Sequence, residues 1–298
     1  MSLNTSLKKS KTKEPKDKEY VWTGMYYQYY AYFFAEYLDH KYANVCTYRY
    51  NDAKYFGGDS LSFDHTKLKK FLLECKKRFL VIPVLLWTGG SLHQNMVIYD
   101  SKLNELELFD PFGDFIKDWF ISSYQYDAYK KYLSCVKHTF EDILHSKFKF
   151  YEPGSIFPKN KNFQNMEIEF CPKHLFTTNT ELGFCVVWSL WYAETRIKNP
   201  DIPRKELIKN HITSFEQSIK DIKNHESKIK NLPICKTIRD YTLFLIQLDK
   251  DKTFREKMLI RMGLNWKQWA KFVAFGGISY SIMFTVLYKF LQSLNFGQ

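Results

Sequence analysis

At 298 residues the chain can bury a sizeable core, as one large domain or two small ones. Its formal charge of +12 raises nucleic acid as a partner, but the Lys residues are spread along the chain instead of gathered in a stripe, so nucleic acid is not expected. The six cysteines (Cys46, Cys75, Cys135, Cys171, Cys185 and Cys235) form no C-x-x-C pair and no tight framework, which argues against a zinc site or a disulfide scaffold and predicts reduced thiols in a cytosolic compartment, with no metal or cofactor.

Residues 1–19 are polar and Lys-rich, lack the apolar core of a secretory signal, and are expected to be a basic disordered tail. From residue 20 to 60 the chain is crowded with Tyr and Phe. A segment apolar nearly all round must be covered, so it is expected to pack onto the domain. Leu68, Phe71, Leu72 and Cys75 recur at helical spacing and predict a helix over 67–78. Phe79 to Trp87 is a continuous apolar run, as a strand buried on both faces should be. Thr88-Gly89-Gly90-Ser91 predicts a turn into a strand from His93 to Asp100. A second turn, Ser101 to Asn104, leads to an alternating strand from Glu105 to Phe109.

A helix is expected over 122–146, then a short strand at 148–151, a Lys/Asn/Pro-rich loop near 153–165 and a further short strand near 166–170. An irregular stretch then reaches Gly183. The next helix opens at Cys185 and stops before Asn199-Pro200. Charged helical segments are expected over 203–230 and 236–262. Together these elements predict an α+β domain over residues 20–262, with a central mixed sheet packed by helices.

Phe272 to Tyr288 is 17 residues without a charge, flanked by Lys267 and Lys271 before it and Lys289 after it, with Trp266, Trp269 and Tyr288 near its ends. That is the pattern of a C-terminal transmembrane helix over 266–291 with interfacial anchors, at the short end of the usual length. Gly277 and Ser281 are spaced for close approach of another helix. Six Lys/Arg between Lys252 and Lys271 would keep the upstream side cytosolic, giving a single-pass, tail-anchored protein.

Three chemistry-bearing residues come into register within the domain. His93 begins one predicted strand and Asp110 follows the end of the next, so an antiparallel pair brings them to one sheet edge. Cys185 lies at the first turn of a helix, where unpaired N–H groups and the dipole favour thiolate. Nucleophile, base and orienting acid are thereby all present. Asn95 shares a face with His93 and is an alternative polar partner. Trp188 would cover the helix face beside the thiol. The backbone N–H of Cys185 and the side chain of Asn179 are the candidate oxyanion donors.

His93, Asp110 and Cys185, with Asn179 where an oxyanion Gln is usual, resemble the site of the cysteine-protease clan that contains the SUMO-specific proteases and the adenovirus protease. A closer resemblance is to uncharacterised proteins of giant, mimivirus-like viruses. It is carried by His93-x-Asn95-x-x-Ile98-Tyr99-Asp100, Asp110-Pro111-Phe112-Gly113, Gly183-Phe184-Cys185-x-x-Trp188-Ser189-Leu190-Trp191-Tyr192 and the stretch from Asn199 to Leu207, over roughly residues 80–210. The resemblance implies a papain-like cysteine-protease fold and a viral thiol peptidase acting on a protein substrate, either a ubiquitin-like conjugate or a viral structural protein, while the C-terminal segment would hold it at a virion or host membrane. Gln94 stands where the SUMO-protease group commonly has Trp, which weakens a diglycine-tail substrate. An acyltransferase would use the same residues. The competing reading is a catalytically inactive, membrane-anchored structural or interaction protein that keeps the fold.

Overall fold

The run Phe79-Leu-Val-Ile-Pro-Val-Leu-Leu-Trp87 has apolar side chains at every position and can only be covered from both sides. In the computed structural model it is the central strand, β4 (Phe79–Trp87), of a seven-stranded mixed sheet. The structure describes residues 34–35, 37–48, 54–56, 61–62, 65–87, 92–113, 123–171, 184–220 and 232–250. The chain divides into two compact units, Met1–Leu248 and Asp249–Gln298. All that follows concerns the first, the second being described only in its first two residues. The expected basic tail (1–19), most of the aromatic segment, the turn at 88–91, Asn179 and the expected transmembrane helix (266–291) lie outside the described residues. Among the described residues, no helix is long and apolar enough to cross a membrane.

β1 (Val45–Thr47) and β2 (Lys54–Phe56) both pair in parallel with β4, at its first and last thirds, and β3 (Leu61–Ser62) pairs antiparallel with β2. On the other side β5 (Leu92–Asp100) and β6 (Glu105–Phe109) add antiparallel, and β7 (Lys149–Tyr151) closes the edge parallel to β6. Odd positions of β4, Phe79 and Val81, face one apolar core with Met96, Ile98 and Phe109. Leu80, Ile82, Val84 and Leu86 face a second core with Val97, Tyr99, Leu106 and Leu108. Helices α1 (His65–Glu74) and α2 (Ser123–Leu144) cover the second face. The first is covered by α3 (Pro153–Ile156), α4 (Phe163–Phe170), α5 (Cys185–Lys198), α6 (Arg204–Lys220) and α7 (Pro233–Lys250).

The expected strand near 166–170 is helical instead. Met166, Ile168 and Phe170 alternate along the sequence, but the buried positions are Phe163, Gln164, Met166 and Glu167, which share one helical face, and Ile168 is exposed. Asn162 starts this helix by accepting from the Asn165 N–H at 2.7 Å. The expected loop at 153–165 contains the short α3, whose first position is Pro153.

The expectation of reduced thiols is also corrected. Cys46 pairs with Cys75 and Cys171 with Cys235 in disulfides, leaving Cys135 and Cys185 free. Partners 29 and 64 residues apart, each on a different element, leave no spacing signature in the sequence.

Buried charges bind α5 and α6 to the hairpin. Arg204 reaches Glu105 at 2.5 Å and Glu107 at 2.6 Å, Arg196 stands 3.3 Å from Glu107, and Arg78 forks onto Asp100. On the outer side of α5, Glu194 accepts from Tyr37, Tyr42, Tyr241 and Lys41. Burial opposes ionisation of Glu194, but Lys41 and the Tyr42 and Tyr37 hydroxyls outweigh it and hold the carboxyl at about 2. Within the described part of the aromatic segment, Phe34, Leu38 and Val45 lie in the first core with Tyr37 and Tyr42 packed against it, and Tyr48 lies in the second.

Candidate active site

The β5–β6 register sets the first part of the site. Met96 faces Phe109, so one step further on Asp110 comes opposite Asn95, with His93 two residues along on the same face. Asp110 then turns the chain away. Its carboxylate accepts from the Phe112 N–H at 2.9 Å and its carbonyl from the Gly113 N–H at 2.9 Å. Gly113 has φ of +55°, and a Cβ there would sit 3.0 Å from the Phe157 ring, so the turn requires glycine twice over.

Asp110 Oδ1 lies 2.8 Å from His93 Nε2. Its other oxygen accepts from the Tyr129 hydroxyl of α2 at 3.1 Å, and the Asn95 amide donates to the same atom at 3.1 Å once its nitrogen is turned toward it, the orientation that satisfies both ends of that amide. The Phe112 ring stands beside the imidazole, centroids 5.3 Å apart. Asp110 is thus fully buried yet richly hydrogen-bonded, as a buried carboxylate must be. With Nε2 committed to Asp110, the ring's Nδ1 is left for a second partner, and Cys185 lies close enough to the imidazole to help raise its pKa. Burial pulls the His93 pKa down, but the charge and hydrogen bond of Asp110, with the Cys185 contact, outweigh it and place the group at about 10.

Cys185 is the first residue of α5. The N-cap is Phe184, whose side chain cannot cap, and the acceptor comes from another helix. Glu167 on α4 accepts from the Phe184 N–H at 3.2 and 3.3 Å and from the Trp188 indole at 2.9 Å. Trp188 is in turn stacked on Phe163 at 5.0 Å. One turn into α5, Ser189 donates to the Gln94 carbonyl at 2.8 Å and pins the helix to β5 next to His93. The Cys185, Val186 and Val187 N–H groups occupy the first turn, where no intrahelical acceptor exists. The site draws on both helical layers: α2 supplies Tyr129 and α5 supplies the thiol.

The structure therefore brings His93, Asp110 and Cys185 together, with Asn95 beside Asp110, while Asn179 lies outside the described residues. Tyr129, Glu167 and Ser189 were not foreseen. Ser189 carries a weak signal, since it stands at i+4 from Cys185 on the same helix face. Tyr129 and Glu167 carry none, because each meets the site only through tertiary packing.

No protein-family model matches the chain. A putative ankyrin repeat protein of Acanthamoeba polyphaga mimivirus is 28% identical over 200 residues, which are 61% of this chain and 23% of that relative. The match thus spans about a quarter of the relative's length. Among solved structures, the chain is similar to the SUMO protease Ulp1 with its catalytic cysteine oxidised to a sulfonic acid, at 10% identity over 71% of this chain and 76% of that one, with a TM-score of 0.33. It is also similar to ChlaDub1 from Chlamydia trachomatis, at 14% identity over 72% and 95% with a TM-score of 0.38. The Legionella pneumophila effector RavZ aligns at 12% identity over 79% and 69% with a TM-score of 0.35.

Proposed function

We propose that the chain is a viral thiol peptidase of papain-like fold that uses Cys185 as nucleophile, His93 as general base and acid, and Asp110 to orient the imidazole. The observation that carries this reading is a thiol at the first position of a helix, beside an imidazole whose Nε2 lies 2.8 Å from a buried carboxylate. In this scheme the Cys185 proton passes to His93, and the sulfur attacks the scissile carbonyl carbon. The tetrahedral oxyanion is met by the Cys185 N–H and the Asn179 side chain. His93 returns the proton to the departing amine, leaving a thioester on Cys185. Water then attacks the thioester while His93 takes its proton, and the acid leaves as the thiol is restored.

The substrate class proposed is a protein: a ubiquitin-like conjugate or a viral structural protein. The sequence resemblance to the SUMO-protease and adenovirus-protease clan supports this. Residues 266–291 are proposed to anchor the chain in a virion or host membrane, on the strength of their uncharged run and flanking Lys and Trp. The two disulfides favour an oxidising setting such as the virion over the reducing cytosol.

One observation favours a second reading, a non-catalytic interaction protein that keeps the fold: Cys185, His93 and Asp110 are 7%, 1% and 0% exposed. An activity-based thiol probe separates the two. Labelling of wild type that is lost in both Cys185→Ala and His93→Ala supports the peptidase, and absence of labelling in wild type supports the interaction protein. Retention with membranes in alkaline carbonate tests the anchor.

A further inference from the structure

Glu167 is a buried carboxyl that the proposed reaction does not use. It is 5% exposed and lies on α4, one helix removed from the thiol. Three donor contacts converge on it: the Phe184 N–H reaches both oxygens, and the Trp188 indole reaches one. In a capping box, an acid at the third helical position accepts from the N-cap N–H of its own helix. In α5 that third position is Val187, which cannot do so, and Glu167 performs the task from a neighbouring helix. The two residues it grips flank the nucleophile: Phe184 immediately precedes Cys185, and Trp188 is three positions beyond it, on the next turn.

The far side of α4 is tethered as well. Cys171, the C-cap residue of α4, donates its N–H to the Glu167 carbonyl and is joined by its disulfide to Cys235 of α7. The helix that carries the acid is therefore held at its N-terminus by the Asn162 cap and at its C-terminus by a covalent bond.

We infer that Glu167 is a positioning residue for Cys185, acting through the Phe184 N–H and the Trp188 indole to fix where the thiol stands and how readily it ionises. This inference rests on the proposed peptidase reading and deepens it. Burial, offset in part by the hydrogen bonds from Trp188 and Phe184, lifts the Glu167 carboxyl to about 8. Around neutrality it is thus largely protonated and places little negative charge beside the first turn of α5. Its hydrogen-bond partners, the Trp188 indole and the Phe184 N–H, do not titrate; the titratable groups on its own helix and on α5 are Glu169, Cys185, Tyr192, Glu194, Arg196 and Lys198, with His93 on β5 and Asp110 in the turn after β6, while His211 of α6 stands against the Trp191 ring. Cys171 and Cys235 do not titrate as a disulfide.

The test is the rate of Cys185 alkylation by iodoacetamide from pH 5 to 10, read on the Cys185 peptide by mass spectrometry so that Cys135 does not interfere. It is run on the full-length protein, on Glu167→Gln, which keeps an acceptor and removes the charge, on Glu167→Ala, and on His93→Ala. At pH 6, Gln is expected to react within about twofold of wild type and Ala about tenfold more slowly, as loss of a buried acceptor implies. Wild type is expected to fall below Glu167→Gln as pH rises through 8, where ionised Glu167 opposes the thiolate. Glu167→Gln with the wild-type pH profile, or a folded Glu167→Ala with the wild-type rate, overturns the inference. If Glu167→Ala does not fold, the Gln profile decides alone. A His93→Ala rate equal to wild type would instead remove the proposed triad, whereas an altered His93→Ala rate with unaltered Glu167 variants would remove only the positioning role.

Discussion

Replacing Asp110 by Asn keeps the shape of the side chain and one oxygen, enough for either the Phe112 N–H or the Tyr129 hydroxyl, but removes the charge facing His93. In the wild type the imidazole is raised from an ordinary 6.5 to about 10. A displacement of this size corresponds to about 5 kcal/mol of preference for the protonated, folded form, as an order of magnitude. Because the folded value lies above the unfolded one, this stabilisation is complete below pH 6.5 and is lost as pH rises through 10. In Asp110→Asn, burial acts on His93 without the opposing carboxylate, so the pKa falls below 6.5 and the alkaline loss disappears. Urea unfolding of both proteins at pH 6.5, 8 and 10, followed by Trp fluorescence, measures the difference directly. Wild type should lose several kcal/mol more than the variant between pH 6.5 and 10. Curves that run parallel across this range would refute the proposed charge coupling. Groups shared by the two proteins, Glu167 among them, contribute equally and cancel.

Arg204→Ala leaves Glu107 buried with part of its cationic partnership gone and should destabilise the fold by about 3–5 kcal/mol, seen as a lowered midpoint in thermal unfolding. The Cys171–Cys235 bond closes a 64-residue separation, and loop-closure entropy predicts that Cys171→Ser with Cys235→Ser costs about 4 kcal/mol. Reductant should lower the wild-type unfolding midpoint and, with Cys46–Cys75 also removed, leave an altered protein no further shift.

The strands were legible because their signals are local. Phe79–Trp87 and Glu105–Phe109 match the expected limits, one as an unbroken apolar run and the other by alternation between two neighbouring turns. That hairpin register in turn made the proximity of His93 and Asp110 readable, since antiparallel pairing ties positions seventeen residues apart to one sheet edge. The α4 helix was misread because Met166-Glu167-Ile168-Glu169-Phe170 alternates strictly. The decisive signal was the Asn162 cap four residues upstream of Met166, not the alternation.

What pattern could not reach is whatever depends on one helix meeting another. The paired cysteines sit on elements brought together only by the sheet order, and Tyr129 reaches Asp110 because α2 lies across the face that carries His93 and Asn95. The Trp188 indole makes the same point from the other layer. Its spacing from Cys185 reads as a packing position, and stacking on Phe163 accounts for its ring, but stacking leaves the N–H without a partner. A buried indole N–H needs an acceptor. Glu167 supplies one, and the same carboxyl holds the residue before the thiol. A buried acid with no cationic partner among the described residues is unfavourable for stability alone, so its place is better explained by what it holds than by the energy it contributes.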